Sequence, residues 1–262
     1  MTQRTSLTVL GAILTALTLQ LAVAQETQPK PRPETGPKKE EAKPDKAAAD
    51  PAVRALHKHI GELEAAGKLD RSRDGWKPLV PGPPPSVVFT PGATYYWHLQ
   101  TNHGSVKIQL DPVLAPKHVT HFMFLSLLGF YDGLTFHRVI PGFMAQGGCP
   151  FGSGRGGPAY RLGLEISEKT KHDRKGVAST ANSGGGNSDG SQFFLMFKPY
   201  PSLDPKVTKN PATDETTYSG GYSVFGQVVE GLETLDAFEQ RGSAGGRPSE
   251  KLVIERSWIS VE

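Results

Sequence analysis

Cysteine is almost absent from this chain, with Cys149 the only one among 262 residues. A single thiol cannot form an intramolecular disulfide, so the stability of the fold must come from a hydrophobic core. The sequence also lacks the paired Cys and His spacing of a zinc site, and we expect neither metal nor cofactor. The formal net charge is only +3, with no one-signed face and no RNA-binding aromatic motif, which disfavours nucleic-acid binding.

Long apolar runs are also scarce, and the one near the amino terminus is short. Arg4 precedes an apolar stretch over residues 7–23, which Thr and Gln interrupt and which ends in small residues up to Ala24. This pattern predicts a secretory signal peptide over residues 1–24. A membrane anchor is the alternative, but the stretch is short for a span of about 20 residues. We therefore expect cleavage after Ala24, no stable membrane insertion afterwards, and a periplasmic or secreted protein.

Two different segments follow the predicted signal peptide. Residues 25–50 are rich in Pro, Lys, Glu and Ala and bury too little surface to offset chain entropy, which predicts a disordered polar spacer. Residues 51–68 are typical of an amphipathic helix, with Asp50 as N-cap, Pro51 at the first helical position and Gly67 at the end. Its apolar positions recur at spacings of three and four: Val53, Leu56, Ile60 and Leu63. This stripe either packs on the domain itself or docks a partner, and the sequence leaves both open.

The composition of the chain changes again after this helix. Residues 69–91 contain five prolines between Pro78 and Pro85, which favours a semi-rigid, extended connector. From residue 92 onward short β-prone runs alternate with two helical patterns, while residues 205–221 form a long polar loop. One predicted helix begins at Pro116, and a second covers Leu232–Phe238. The predicted strands are Tyr95–Gln100, Ser105–Leu110, Thr135–Ile140, Phe143–Gly147, Gly176–Thr180, Gln192–Met196, Tyr222–Val229 and Leu252–Val261.

Two runs carry the functional signal. Residues 136–147 read FHRVIPGFMAQG, and residues 190–196 read GSQFFLM. Both resemble the signature segments of the cyclophilins, a family of peptidyl-prolyl cis-trans isomerases, in the same order and at compatible spacing. The resemblance covers about residues 95–261. It implies a mainly β domain over residues 92–262, built as a closed antiparallel eight-stranded barrel that two helices cap, and catalysed rotation about X-Pro peptide bonds.

Arg138 is the predicted catalytic donor. The rotation barrier of about 18–20 kcal/mol arises because the lone pair of the prolyl nitrogen is delocalised into the carbonyl. A permanently charged, planar guanidinium can address that amide and favour the loss of conjugation. The resemblance assigns this role to Arg138, the arginine of the Phe-His-Arg motif. Without the motif, Arg138 would read as an ordinary surface arginine at a strand end.

The resemblance implies further site residues around Arg138. Phe143, which we group with Arg138 and Gln146 as catalytic, would form part of the proline slot. The predicted substrate-binding residues are Met144, Ala181, Asn182, Gln192, Phe194, Leu203 and Tyr222. Taken singly, the apolar members are more often plain core, and the glutamines more often satisfy backbone groups. Ser202 stands where cyclosporin-sensitive members have tryptophan, so we expect weak cyclosporin binding.

Two other patterns have structural explanations. His118 and His121, three residues apart on a predicted helix, resemble half of a metal site, but we expect exposed histidines without a third ligand. Residues 152–157 match the dinucleotide-binding expression without the strand and helix that such a site needs. Neither pattern changes the expected function.

The sequence thus favours an exported, monomeric isomerase that acts on proline-containing peptides and unfolded exported proteins. A binding module, in which the same groove holds a proline peptide with little turnover, is the alternative. A third possibility gives the N-terminal helix the main role, with the barrel as its scaffold. These hypotheses differ in whether Arg138 or residues 51–68 carry the function.

Overall fold

The computed structural model describes residues 46–184 and 187–262. The predicted signal peptide, residues 1–24, and most of the predicted spacer, residues 25–50, lie outside this range. Within it, no helix has the length and apolar character needed to cross a membrane. The described residues contain these helices and strands, in chain order: α1 (Lys46–Ala49), α2 (Pro51–Ala65), β1 (Tyr95–Thr101), β2 (Gly104–Leu110), α3 (Pro116–Leu127), β3 (Arg138–Ile140), β4 (Met144–Gly147), β5 (Val177–Thr180), β6 (Phe193–Met196), β7 (Lys206–Lys209), β8 (Thr216–Ser219), β9 (Val224–Glu230), α4 (Leu232–Gln240) and β10 (Ile254–Val261).

Eight of these strands form one curled antiparallel sheet. Its order is β10-β1-β2-β9-β5-β6-β4-β3, which leaves β10 and β3 at the two edges. The predicted eight antiparallel strands are confirmed, but the predicted closed barrel is not, because the edge strands share no ladder. The edges meet only through an isolated bridge between Thr135 and Val253 and nearby backbone hydrogen bonds. The fold is therefore a half-barrel.

The main core fills the concave side of the sheet. Trp97 on β1 is fully buried, and its ring centroid lies 4.8 Å from those of Tyr131 and Phe193. Phe122 on α3 stacks on Phe225 of β9 at 3.9 Å. Strand residues alternate between the two faces of a sheet, so these aromatic side chains take one set of alternate positions and leave the other set for the convex face.

The histidines of α3 correct one expectation, since both His118 and His121 are fully buried. Nδ1 of His118 lies 2.6 Å from Glu165, and Nε2 lies 2.8 Å from Asp189. Burial alone would lower the pKa of His118, but the hydrogen bonds and charges of the two carboxylates outweigh it and raise that pKa. Burial lowers the pKa of His121 to about 3, and its ring bonds to Tyr160 and to the backbone. Among the described residues, no cluster could hold a metal ion.

Helix α2 packs against the domain that follows it. Ala52, Val53, Leu56 and Ile60 are buried and belong to the main core. Asp50 caps the helix by accepting hydrogen bonds from the backbone of Ala52 and Val53 at 2.9 and 3.2 Å. The same carboxylate accepts from the hydroxyls of Thr90 and Tyr95, which tie the helix to β1. The domain itself therefore covers the apolar stripe.

The proline-rich segment after α2 is also attached along its length. Val80 is fully buried, and its carbonyl accepts a hydrogen bond of 3.1 Å from Ala159. Trp76 packs edge-on against Phe130, with ring centroids 6.1 Å apart. We call residues 46–91 the N-terminal arm. Its prolines shape an extended chain, and its apolar side chains hold that chain on the sheet.

The predicted polar loop 205–221 contains a β-hairpin. Strand β7 pairs with β8, with Val207 opposite Tyr218. Apart from Tyr218, which is half-buried, all residues of the two strands are exposed. At the base, Gly221 has a φ of 75°, and a Cβ there would lie 2.7 Å from the nitrogen of Pro205. Only glycine allows the two ends of the hairpin to approach this closely.

Candidate active site

The convex face of β3, β4, β6 and β5 carries the predicted residues in one row. Arg138 lies opposite Gln146, Gln146 opposite Phe194, and Phe194 opposite Ser179. Residues directly opposite in neighbouring strands point to the same face of the sheet, so the sheet register itself aligns these side chains. The donor and the apolar floor are therefore neighbours, although up to 56 residues separate them in the sequence.

A second apolar cluster lies beneath and beside this row, apart from the main core. Its buried members are Met144, Val177, Phe194, Met196 and Val224. The half-buried side chains that pack against it include four predicted site residues, namely Phe143, Ala181, Leu203 and Tyr222. The ring of Tyr222 stands edge-on to that of Phe194 at 5.4 Å. Together these side chains form a shallow apolar recess that opens to the surface.

Hydrogen-bonded side-chain amides line the polar side of the recess. Nη1 of Arg138 donates to Oε1 of Gln146 at 3.2 Å, and Nε2 of Gln146 donates to Oε1 of Gln192 at 3.0 Å. Nε2 of Gln192 in turn donates to the carbonyls of Gly154 and Gly156, each at 2.9 Å. Because those carbonyls can only accept, they fix the orientation of both amides. The exposed guanidinium is thus tethered from one side.

The surroundings of Arg138 leave its charge available. Gly246, with a φ of 82°, lies against the side chain, where a Cβ would come within 3.0 Å of Cγ of Arg138. Within the part of the chain that the structure describes, no carboxylate forms an ion pair with Arg138. An unpaired guanidinium beside an apolar recess can donate to a polar group of a bound molecule.

The loop after β5 borders the other end of the recess. The backbone nitrogen of Ala181 donates to the carbonyl of Gln192 at 2.9 Å. Nδ2 of Asn182 donates to the carbonyl of Gly221 at 3.2 Å, next to Tyr222. All ten predicted site residues therefore lie around one recess. Their individual roles stay predictions.

Sequence reasoning missed two residues of this site. Tyr200 is 39% exposed, and its ring lies 4.7 Å from that of Phe143, so it adds an aromatic wall two residues before Ser202. His172 is fully buried behind Phe194, with ring centroids 6.0 Å apart. Neither belongs to the two signature runs. No local sequence pattern predicts the place of His172, because its partner Asp204 lies 32 residues further along the chain.

Another groove, of about 520 Å³, lies toward β2 and β9. It shares Leu114, Val177 and Val224 with the apolar cluster, and Lys169 and Arg174 line its polar side. None of the ten predicted residues lines it. The predicted residues instead surround the shallow recess, where the tethered guanidinium of Arg138 lies beside apolar side chains.

Comparison with known proteins shows which family the chain resembles. Residues 96–258 match the family model described as cyclophilin type peptidyl-prolyl cis-trans isomerase/CLD. The chain belongs to this family. The predicted family is confirmed by this match and by the named relatives below.

The relatives cover the same part of the chain. Peptidyl-prolyl cis-trans isomerase-like 2 of Cryptococcus neoformans is 42% identical over 167 residues, which are 61% of this chain and 26% of that protein. The chain thus spans about a quarter of the length of that relative. The peptidyl-prolyl cis-trans isomerase of Helicobacter pylori is 40% identical over 149 residues, covering 56% of this chain and 82% of the relative.

Solved structures show the same fold. The crystal structure of a Cryptosporidium parvum cyclophilin type peptidyl-prolyl cis-trans isomerase matches with a TM-score of 0.55 and 31% identity. The match covers 64% of this chain and 98% of the other. A second structure of that protein was determined in the presence of the dipeptide Ala-Pro, with the same TM-score of 0.55.

Proposed function

We propose that this chain accelerates cis-trans rotation about X-Pro bonds, with Arg138 stabilising the twisted amide. Rotation breaks no covalent bond, so the site needs no nucleophile and no proton acceptor. An acceleration of five decades requires about 7 kcal/mol of differential stabilisation of the transition state. One oriented charged donor in a partly dehydrated recess supplies a large share of this.

The observation that carries the proposal is the row from Arg138 through Gln146 to Phe194. In the twisted state the prolyl nitrogen regains its lone pair and becomes a better hydrogen-bond acceptor. A pyrrolidine ring seated on Met144 and Phe194 would bring that nitrogen toward the guanidinium. The amides of Gln146 and Gln192 hold the donor in place or bind the peptide backbone.

Proline-containing peptides are the proposed ligands. The structure of the Cryptosporidium relative was determined in the presence of Ala-Pro, which supports a proline-containing ligand. Arg138 is exposed and Asn182 is partly exposed at opposite ends of the recess, which favours an extended peptide that continues beyond it. Unfolded segments of longer proteins fit such an open site as well as short peptides do.

Exchange spectroscopy on a short Ala-Pro peptide tests the catalytic role of Arg138 on the full chain. We expect Arg138→Ala to lower kcat/KM by about 100-fold or more, the usual effect of removing one donor to a transition state. Peptide affinity should change less than about threefold, because the apolar recess is intact. Arg54→Ala, at an exposed arginine of α2, is the matched control and should leave both values unchanged.

The alternative of a binding module predicts a different outcome. In that case the wild-type chain would bind the peptide without accelerating its exchange, and Arg138→Ala would change affinity alone. The same experiment therefore separates the two functions.

We also propose that the chain is exported and acts as a monomer on unfolded exported proteins. The support is the apolar stretch and the small residues before Gln25. Mass spectrometry of the protein recovered from the cell envelope or medium should give a first residue of Gln25. A mature chain that keeps residues 1–24 would contradict the proposal.

A further inference from the structure

His172 is buried beneath the recess, and every polar group of the residue is in use. Its backbone nitrogen and Nδ1 lie 2.7 and 3.0 Å from the same oxygen, Oδ1 of Asp204. Its carbonyl accepts a hydrogen bond of 2.7 Å from the nitrogen of Tyr200. Nε2 lies 2.9 Å from Oγ of Ser179. His172 thus joins its own segment to two others, β5 at Ser179 and the turn between Tyr200 and Asp204.

The partners decide the tautomer of the ring. A carboxylate can only accept, so Nδ1 carries the hydrogen and donates it to Asp204. Nε2 then accepts a hydrogen bond from the hydroxyl of Ser179. Burial lowers the pKa of His172, more than the nearby acidic groups raise it, so the neutral ring fits this arrangement at neutral pH.

The ring also supports the aromatic floor. It stacks on Phe194 with an interplanar angle of 19° and stands edge-on to Tyr222 at 6.4 Å. Phe194 and Tyr222 touch each other as well. The orientation of His172 therefore limits how far the floor can shift.

The hydrogen bonds of His172 also fix the position of the rim of the recess, which Leu203 forms. Asp204 directly follows the 3-10 turn Pro201–Leu203, which places Leu203 at the edge of the recess. Tyr200 precedes that turn and packs on Phe143. Ser179, at the other end of the ring, lies in the floor opposite Phe194. The ring spans the distance between floor and rim.

We propose that His172 is a positioning residue that sets the width of the proline slot through its bond to Asp204. This inference rests on the proposed function of the recess. His172 makes no hydrogen bond to Arg138, Gln146 or Gln192, the chain that holds the catalytic donor. Its loss should therefore weaken substrate binding and leave the rotation step of bound substrate nearly unchanged.

Two substitutions test the hydrogen bonds of the two ring nitrogens separately. His172→Asn keeps an amide donor near the position of Nδ1 and so retains the bond to Asp204. His172→Gln places its polar group nearer Ser179 and loses the bond to Asp204. We expect His172→Gln to raise KM for a short Ala-Pro peptide about tenfold, the effect of losing one hydrogen bond to a charged group, with kcat within about threefold. His172→Asn should restore KM to within about threefold of the wild type.

A control and a second variant keep the test decisive. His98→Gln is the same substitution at a histidine away from the recess, where it removes a ring that stacks on Trp258 and keeps a polar group near Ser260. It should lower the melting temperature without raising KM. If His172→Gln does not fold, Asp204→Ala removes the bond to Nδ1 together with the bond to the backbone nitrogen of His172 and should raise KM at least as much.

Several outcomes would overturn the inference. One is a His172→Gln variant that loses stability as His98→Gln does but keeps its KM. Another is a loss of kcat at constant KM, or equal KM values for the Asn and Gln variants. A wild-type chain without isomerase activity would instead contradict the proposed function, which the same assay shows separately.

Discussion

The N-terminal arm and the hairpin of residues 206–219 are both joined to the same sheet, but they differ in what holds them there. The arm contributes Val53, Leu56 and Val80, each at most 1% exposed, to the main core. The hairpin keeps Val207 55% exposed and pairs mainly with itself. One segment is part of the folded core, and the other stands on the surface beside the recess.

The difference follows from the side chains and not from the regularity of the backbone. The arm is proline-rich and largely irregular after α2, yet its few apolar residues recur where the sheet can cover them. The hairpin is regular, but its threonines, lysines and acids gain nothing from burial. A segment joins a core by supplying apolar area, whatever its secondary structure.

Leu56→Ala gives the largest expected effect of this comparison. The side chain is fully buried in the main core, so its truncation should lower the free energy of unfolding by about 2–5 kcal/mol. Leu79→Ala, at a leucine of the same arm that is 51% exposed, is the matched control and should cost less than about 1 kcal/mol. Urea denaturation of both variants measures the difference. Equal effects would mean that the arm is not part of the core.

Replacing residues 206–219 by a short Gly-Ser link should have the smallest effect. We expect the free energy of unfolding to change by less than about 0.5 kcal/mol, since the exposed ion pair of Lys209 and Asp214 contributes little. Pro205 and Gly221 are kept, so the base of the hairpin and the rim are preserved. Peptide kcat/KM should stay within about twofold. A stability loss as large as that of Leu56→Ala would remove the contrast with the arm.

The sequence predicts what depends on local periodicity. Short β-prone runs, one of them with clear apolar alternation at Val106, Ile108 and Leu110, located the eight strands of the sheet to within a few residues. Asp50 with Pro51 marked the start of α2 at the residue where the structure has it. The two signature runs contain six of the ten residues that lie around the recess: Arg138, Phe143, Met144, Gln146, Gln192 and Phe194. The family resemblance implied the other four, Ala181, Asn182, Leu203 and Tyr222. These signals are short-range, because each needs only neighbours within a strand, a turn or a cap.

What the sequence did not predict depends on contacts between distant residues. His118 appeared exposed because its acidic partners, Glu165 and Asp189, lie 47 and 71 residues away. The hairpin escaped prediction because strands with two exposed faces have no apolar alternation. The closed barrel was not confirmed because closure requires the two edge strands, β3 and β10, to pair, and no local sequence pattern specifies such pairing.

The register of β4 limits which changes in chain length this protein can accept. Met144 and Gln146 face the recess, whereas Ala145 packs into the main core. Deleting or inserting a single residue within this strand would exchange the two faces, sending the glutamine inward and the alanine outward. Substitutions in the strand alter the site by degrees, but a length change there removes it at once. We therefore expect changes in chain length to be tolerated in the connections between strands, and the hairpin occupies one of them.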